Sequence, residues 1–217
     1  TAIGGGSSRT LKGGDAEVNI TGGTVIAKSG KGAGIGGGSA CTGDSNASAE
    51  YDGGTATITI SGDPIIRTGS VGGGSTGAGK GKIGSANITI EGGDIQAQFI
   101  LAAGAKADPE FTMTGGTIRN SSTADTEYLH VKEQGGAVWL EDGKCEISGG
   151  TIENCTATEG GAIYIAGTNN PTFTMTGGTI RNCTSKAGNG GAVYLEGGTV
   201  TLSGGTIRDN LAQGGNG

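Results

Sequence analysis

The stretch Pro171 to Gly198, PTFTMTGGTIRNCTSKAGNGGAVYLEGG, decides the fold. It divides into Phe173-Thr-Met-Thr-Gly-Gly, Thr179-Ile-Arg-Asn-Cys-Thr and Gly190-Gly-Ala-Val-Tyr-Leu-Glu-Gly-Gly, each a short apolar/polar alternation closed by glycine or asparagine. That is strand chemistry with turn punctuation. Each strand has only two or three inward side chains, too few to build a core, so the unit needs neighbours.

Repetition supplies them. The T-G-G-T-I core recurs at Thr21-Gly-Gly-Thr-Val25, Ser61-Gly-Asp-Pro-Ile65, Glu91-Gly-Gly-Asp-Ile95, Thr114-Gly-Gly-Thr-Ile118, Ser148-Gly-Gly-Thr-Ile152, Thr176-Gly-Gly-Thr-Ile180 and Ser203-Gly-Gly-Thr-Ile207. Internal similarity of this kind marks a stacked repeat architecture. The spacing is uneven, as expected of a coil whose strands have fixed length and whose turns accept insertions. Aligned copies give a first strand with inward pairs Val18/Ile20, Ile58/Ile60, Ile88/Ile90, Phe111/Met113, Cys145/Ile147, Phe173/Met175 and Val200/Leu202, and an outward face rich in Thr and Ser. A second strand starts at Val25, Ile95, Ile118, Ile152, Ile180 and Ile207, and a third centres on Ile35, Val71, Val138, Ile163 and Val193. The expected fold is all-β: a right-handed parallel β-helix with three strands per rung and about seven rungs. At the ~4.8 Å strand spacing this is a rod on the order of 30 Å long. The Gly-Gly pair should make the tight corner between the first two strands, where positive φ is inexpensive only without a Cβ.

Composition narrows the function classes. Glycine accounts for 50 of 217 residues without a strict third-residue period, and only three prolines are present, which excludes collagen. No apolar run approaches a membrane span. Net charge is −6, all of it arising after Ala107, so nucleic acid is not an expected partner. Ala2-Ile-Gly-Gly-Gly matches the inside of a later unit, Gly34-Ile-Gly-Gly-Gly, and Gln213-Gly-Gly-Asn-Gly stops where a third strand should begin. The expectation is one β-helix domain over 1–217 excised from a longer protein, whose other domains are then its neighbours. Within it, 1–107 holds glycine-rich rungs with long loops and 108–217 holds regular rungs.

Gly135-Gly-Ala-Val-Trp-Leu, Gly160-Gly-Ala-Ile-Tyr-Ile and Gly190-Gly-Ala-Val-Tyr-Leu resemble the GGA[ILV] half of the chlamydial polymorphic outer-membrane-protein repeat. Ile118-Arg-Asn-Ser, Ile152-Glu-Asn-Cys and Ile180-Arg-Asn-Cys resemble its FxxN half, with Ile in place of Phe. The glycine-rich part is similar to repeats of large surface proteins from Gram-positive gut commensals. The resemblance implies the coil, an extracellular location at the cell surface or secreted, and an adhesin-like role.

Candidate ligand-binding residues follow from alternation. Trp139, Tyr164 and Tyr194 occupy one place in three successive third strands and should form an exposed aromatic ladder, onto whose rings the C–H faces of a glycan would pack. The competing reading is cross-strand stabilisation. Inserted loops carry Tyr51, Tyr128 and His130, and loops on a rigid coil are the default place for recognition. Arg119, Glu153, Arg181 and Arg208 should stack with Glu153 between two arginines, followed by a turn at Asn120, Asn154, Asn182 and Asp209, ordered by stacked amides. Cys155 and Cys183 are equivalent positions within disulfide range, with two reduced thiols the competing reading. Cys145 is read as buried and Cys41 as a loop residue, and no zinc spacing is present. No cofactor is implied; calcium at Asp44-Ser-Asn or Asp108-Pro-Glu lacks a binding-loop pattern. With a single histidine and no matched nucleophile and base, no catalytic residue is named. The reading is a non-enzymatic surface module that binds a host glycoprotein, such as mucin or immunoglobulin, or a polysaccharide, through its lateral face or loops. The alternatives are a carbohydrate-active enzyme (lyase or glycoside hydrolase) or lectin module, and a passive stalk.

Overall fold

The computed structural model describes residues 2–8, 12–27, 33–40, 52–74, 83–102, 109–119, 134–167 and 169–215, without the side chains of 99, 101 and 102. Among the described residues every regular element is a strand, and the strands form parallel sheets of twelve, seven and three members. The arrangement is compatible with a β-solenoid.

The seven-stranded sheet takes one strand from each copy of the repeat, in chain order: Ala16–Ile20, Ala56–Ile60, Ala86–Ile90, Glu110–Met113, Lys144–Ile147, Thr172–Met175 and Thr199–Leu202. Pairing is in register throughout, so Val18, Ile58, Ile88, Phe111, Cys145, Phe173 and Val200 form one column. Ile20, Ile60, Ile90, Met113, Ile147, Met175 and Leu202 form the next. Both columns face the main core as the alternation predicts, and every member is at most 8% exposed until the last strand.

The twelve-stranded sheet carries two more core columns. One runs Val25, Ile66, Ile95, Ile118, Ile152, Ile180, Ile207. The other runs Ile3, Ile35, Val71, Ile100, Val138, Ile163, Val193. Ile65, the expected equivalent of Val25, is displaced: Ser61-Gly-Asp-Pro holds one residue more in its corner than Thr21-Gly-Gly-Thr. A one-residue slip exchanges the two faces of a strand, which leaves Ile65 44% exposed and Ile66 fully buried. Ile100 belongs to the long strand Asp94–Ala102 and was not anticipated as a core position.

Corners are set by backbone conformation. The expected positive φ is present at Gly23, Gly62, Gly93, Gly116, Gly150, Gly178 and Gly205, all between 67° and 88°. In the second half an additional corner follows the second strand, where Asn154, Asn182 and Asp209 take φ of 53–56°, a conformation Asn and Asp tolerate best among residues with a Cβ. The side-chain amide that bonds at this corner is that of Asn210, one residue further on. Its Oδ1 accepts from Cys183 N–H at 2.9 Å and its Nδ2 donates to the Ile180 carbonyl at 3.1 Å.

The glycine content of the first half has a specific use. Two glycine-bearing segments per repeat interleave in one backbone ladder, in which Gly14 N–H donates to Gly6, Gly38 to Gly14, Gly54 to Gly38, Gly74 to Gly54 and Gly84 to Gly74, at 2.8–2.9 Å. A Cβ built on Gly13, Gly53 or Gly73 would lie 1.6–1.8 Å from a carbonyl oxygen of the facing segment. Only glycine permits backbones to approach this closely.

Candidate binding surface

Three lateral features carry the candidate site residues. The first is the aromatic column. Trp139 faces Tyr164, and Tyr164 faces Tyr194, in register as anticipated, and they pack in a small cluster separate from the main core. Exposure is where the expectation fails. Trp139 is 8% and Tyr164 2% exposed, and only Tyr194 is half-buried. Ile83 and Ala166 pack against the rings, and long aromatic side chains at strand spacing cover one another. The Tyr164 and Tyr194 centroids are 5.5 Å apart and tilted by 42°, and Tyr194 is the most exposed ring of the three.

Tyr164 is also tied to the next layer. Its hydroxyl donates to Glu196 Oε1 at 2.5 Å. Burial first, and then the Glu196 carboxylate, push the phenol well above its ordinary range. The indole N–H of Trp139 is buried without a hydrogen-bond partner, a penalty the fold carries to keep the ring in place. Because the folded-state pKa of Tyr164 is raised, its contribution is complete below the ordinary tyrosine value near 10 and is lost as pH rises beyond it. Tyr164→Phe is therefore expected to lower stability at pH 7 by about 1 kcal/mol and to flatten the alkaline limb of a stability profile above about pH 10. Urea denaturation at stepped pH reads both; an unchanged alkaline limb would remove this residue as the cause.

The second feature is the arginine column. Arg119 faces Glu153, which faces Arg181, and Arg181 faces Arg208. Glu153 thus lies between two arginines as expected, but only one of them bonds it. It accepts from Arg181 at 2.5 and 2.8 Å, while Arg119 turns to the preceding layer and grips Asp94 through Nε at 2.7 Å and Nη2 at 2.6 Å. Arg67 reaches the same Asp94 carboxylate at 2.7 Å from the other side. Asp94 stands where Thr24, Thr117 and Thr151 stand in other copies, and a carboxylate with a guanidinium above and below outcompetes a single-sided contact. The Arg119 hydrogen bonds, opposed by partial burial and reinforced by Arg67, hold its pKa below the ordinary carboxylate range. Arg208 pairs with Asp209. With its cations already paired, this column offers little to an anionic ligand.

The third feature is the outer face of the seven-stranded sheet. Its two outward columns run Glu17, Thr57, Asn87, Glu110, Lys144, Thr172, Thr199 and Asn19, Thr59, Thr89, Thr112, Glu146, Thr174, Thr201. Lys144 and Glu146 pair at 2.7 Å and interrupt the hydroxyls. Apart from these and from Glu17 and Glu110, the face is a regular plane of Thr and Asn at strand spacing.

Of the remaining sequence candidates, Tyr51, Tyr128, His130 and Cys41 lie outside the described residues, as do Asp44, Asp108 and Asn120. Cys145 is fully buried, and burial pushes its thiol well above the ordinary range. Cys155 and Cys183 are likewise buried and carry no disulfide. No group of three His, Cys, Asp or Glu side chains among the described residues is placed to hold a metal ion, and no described helix is long and apolar enough to cross a membrane. Asp94 is the structural residue that the repeat reading passed over; its signal was the single acidic substitution in a Thr column. No family model, curated protein or solved structure matches the chain.

Proposed function

We propose that the chain is a right-handed parallel β-helix with three main strands per rung, acting as a non-enzymatic, adhesin-like binding module at a bacterial surface or in a secreted protein. Between returns to the seven-stranded sheet the chain runs through the twelve-stranded sheet, by two strands as in Thr172–Met175, Thr179–Arg181, Val193–Leu195 and then Thr199–Leu202, or by one long strand, Ile65–Gly72 or Asp94–Ala102, that covers both places. Parallel strands joined by such crossovers are right-handed in about 98% of cases, which supports the handedness. The partner is a host glycoprotein or a polysaccharide, docking on the lateral face.

The observation that carries this reading is the Thr-rich outer plane, seven strands long and in unbroken register. Its backbone is already fixed by the ladders beneath, so docking on it costs little conformational entropy. The test immobilises the chain and measures binding of mucin, immunoglobulin and a polysaccharide panel. Binding of one of them, weakened at least tenfold by Thr57→Lys with Thr89→Lys, is the expected result. Binding that ignores those changes but is lost in Tyr194→Ala moves the site to the aromatic column and favours a lectin. Polysaccharide turnover sinks the non-enzymatic claim, and no binding to any probe leaves the passive stalk.

A further inference from the structure

Asn154 and Asn182 turn the chain at the same place in two successive rungs, and each turn delivers a cysteine into the core. Register is unbroken on both sides, with Glu153 facing Arg181 and Thr156 facing Thr184, so Cys155 lies against Cys183. Each Sγ is 3.3 Å from the carbonyl oxygen two residues earlier, that of Glu153 or Arg181. Adjacent strands hold equivalent Cα atoms about 4.8 Å apart, inside the roughly 4.4–6.8 Å that a disulfide spans. Neither sulfur has to cross a strand to reach the other.

We propose that Cys155 and Cys183 are an oxidisable pair that closes into a disulfide welding two successive rungs, by exchange with a low-molecular-weight disulfide. The Cys183 thiolate attacks one sulfur of the reagent, forming a mixed disulfide and expelling one thiolate. The Cys155 sulfur then attacks the Cys183 sulfur and expels the second. Two S–H bonds are lost, one S–S bond forms in the protein while one breaks in the reagent, and two electrons and two protons leave on the two released thiols.

Cys183 is the entry point. Among the described residues a single rung lies beyond it, and that rung is loosely covered, with Val200 50%, Leu202 57% and Leu211 51% exposed. Loosely covered elements open at lower free energy than fully buried ones. Opening releases Asn210 from the Cys183 N–H and uncovers this sulfur before Cys155. The neighbouring Cys155 thiol also lowers the Cys183 pKa and so favours its thiolate, the form that attacks.

The test equilibrates the chain with oxidised glutathione or with dithiothreitol, alkylates remaining thiols, and maps peptides without reduction. The expected oxidised product has lost two hydrogens, yields a peptide linking Cys155 to Cys183, and melts about 5–10 °C above the reduced chain. Cys183→Ser should show neither the link nor the shift. Full alkylation of both cysteines after equilibration, persistent glutathione adducts, or a link to another cysteine would each overturn the proposal. Should Cys183→Ser fail to fold, the alkylation and peptide map of the unaltered chain decide alone.

Discussion

Gly74→Ala is expected to lower the unfolding free energy by about 3 kcal/mol or more, whereas Gly22→Ala should leave it within about 0.5 kcal/mol. Both are glycine-to-alanine changes in the same half of the chain, and neither position has a left-handed φ. The contrast therefore isolates close approach from conformational freedom. A Cβ on Gly74 would lie 1.9 Å from the Gly38 oxygen and 2.9 Å from the Gly54 nitrogen, both backbone atoms of the seam. Neither is the tip of a side chain that can swing away. Relief requires the ladder from Gly38 through Gly54 to Gly74 to open, and those hydrogen bonds also anchor the rungs above and below. A Cβ on Gly22 meets nothing within 4 Å. Urea midpoints followed by far-ultraviolet circular dichroism measure both variants; a Gly74→Ala midpoint equal to that of the parent would show that the seam is plastic.

This seam also marks where sequence reading stops. Alternation of two and the repeated Gly-Gly corner made the core columns legible before any coordinates, because both are local properties of a strand and its turn. Gly38 and Gly54, by contrast, are glycines on account of atoms far away in sequence, and nothing near them announces it. Ile66 was misread as Ile65 because periodicity cannot see which corner holds an extra residue. The choice of Asp94 over Glu153 by Arg119 was hidden for a related reason: stacked repeats place neighbours both above and below, and register alone does not say which one a long side chain prefers. For the aromatic column, alternation correctly separated Trp139, Tyr164 and Tyr194 from the main core. It was silent on what lies over that side of the strand, so two rings expected in solvent are buried. Of the outer plane, alternation made the column from Asn19 to Thr201 legible as the complement of the core, whereas the column from Glu17 to Thr199 was hidden because pattern alone did not show that each strand starts before its first apolar residue.

Phe111→Ala should be the most damaging single truncation on the seven-stranded sheet, costing about 3–5 kcal/mol, while Val200→Ala costs about 1 kcal/mol or less. The two residues belong to one column, so strand chemistry and orientation are matched and only height along the stack differs. Phe111 is fully buried, with Ile88 on one side and Cys145 on the other. Cys145 is small, and the aromatic rings of Phe111 and Phe173 flank it. Removing one ring leaves a void that a thiol cannot fill, and the paired backbones on either side cannot collapse into it. Val200 sits on the last described strand, 50% exposed, at the mouth of a cavity of about 440 Å³ lined by Phe173, Leu195, Leu202 and Ile207. Truncation there enlarges a space already open to water. In a stack where each rung contacts only its neighbours, stability is a sum over interfaces, so damage at Phe111, which has a paired strand on either side, weakens two of them. Thermal melts of the two variants test this. A Val200→Ala loss as large as that of Phe111→Ala would mean that the end of the stack is covered in solution, and would reassign the open face from solvent to a partner surface.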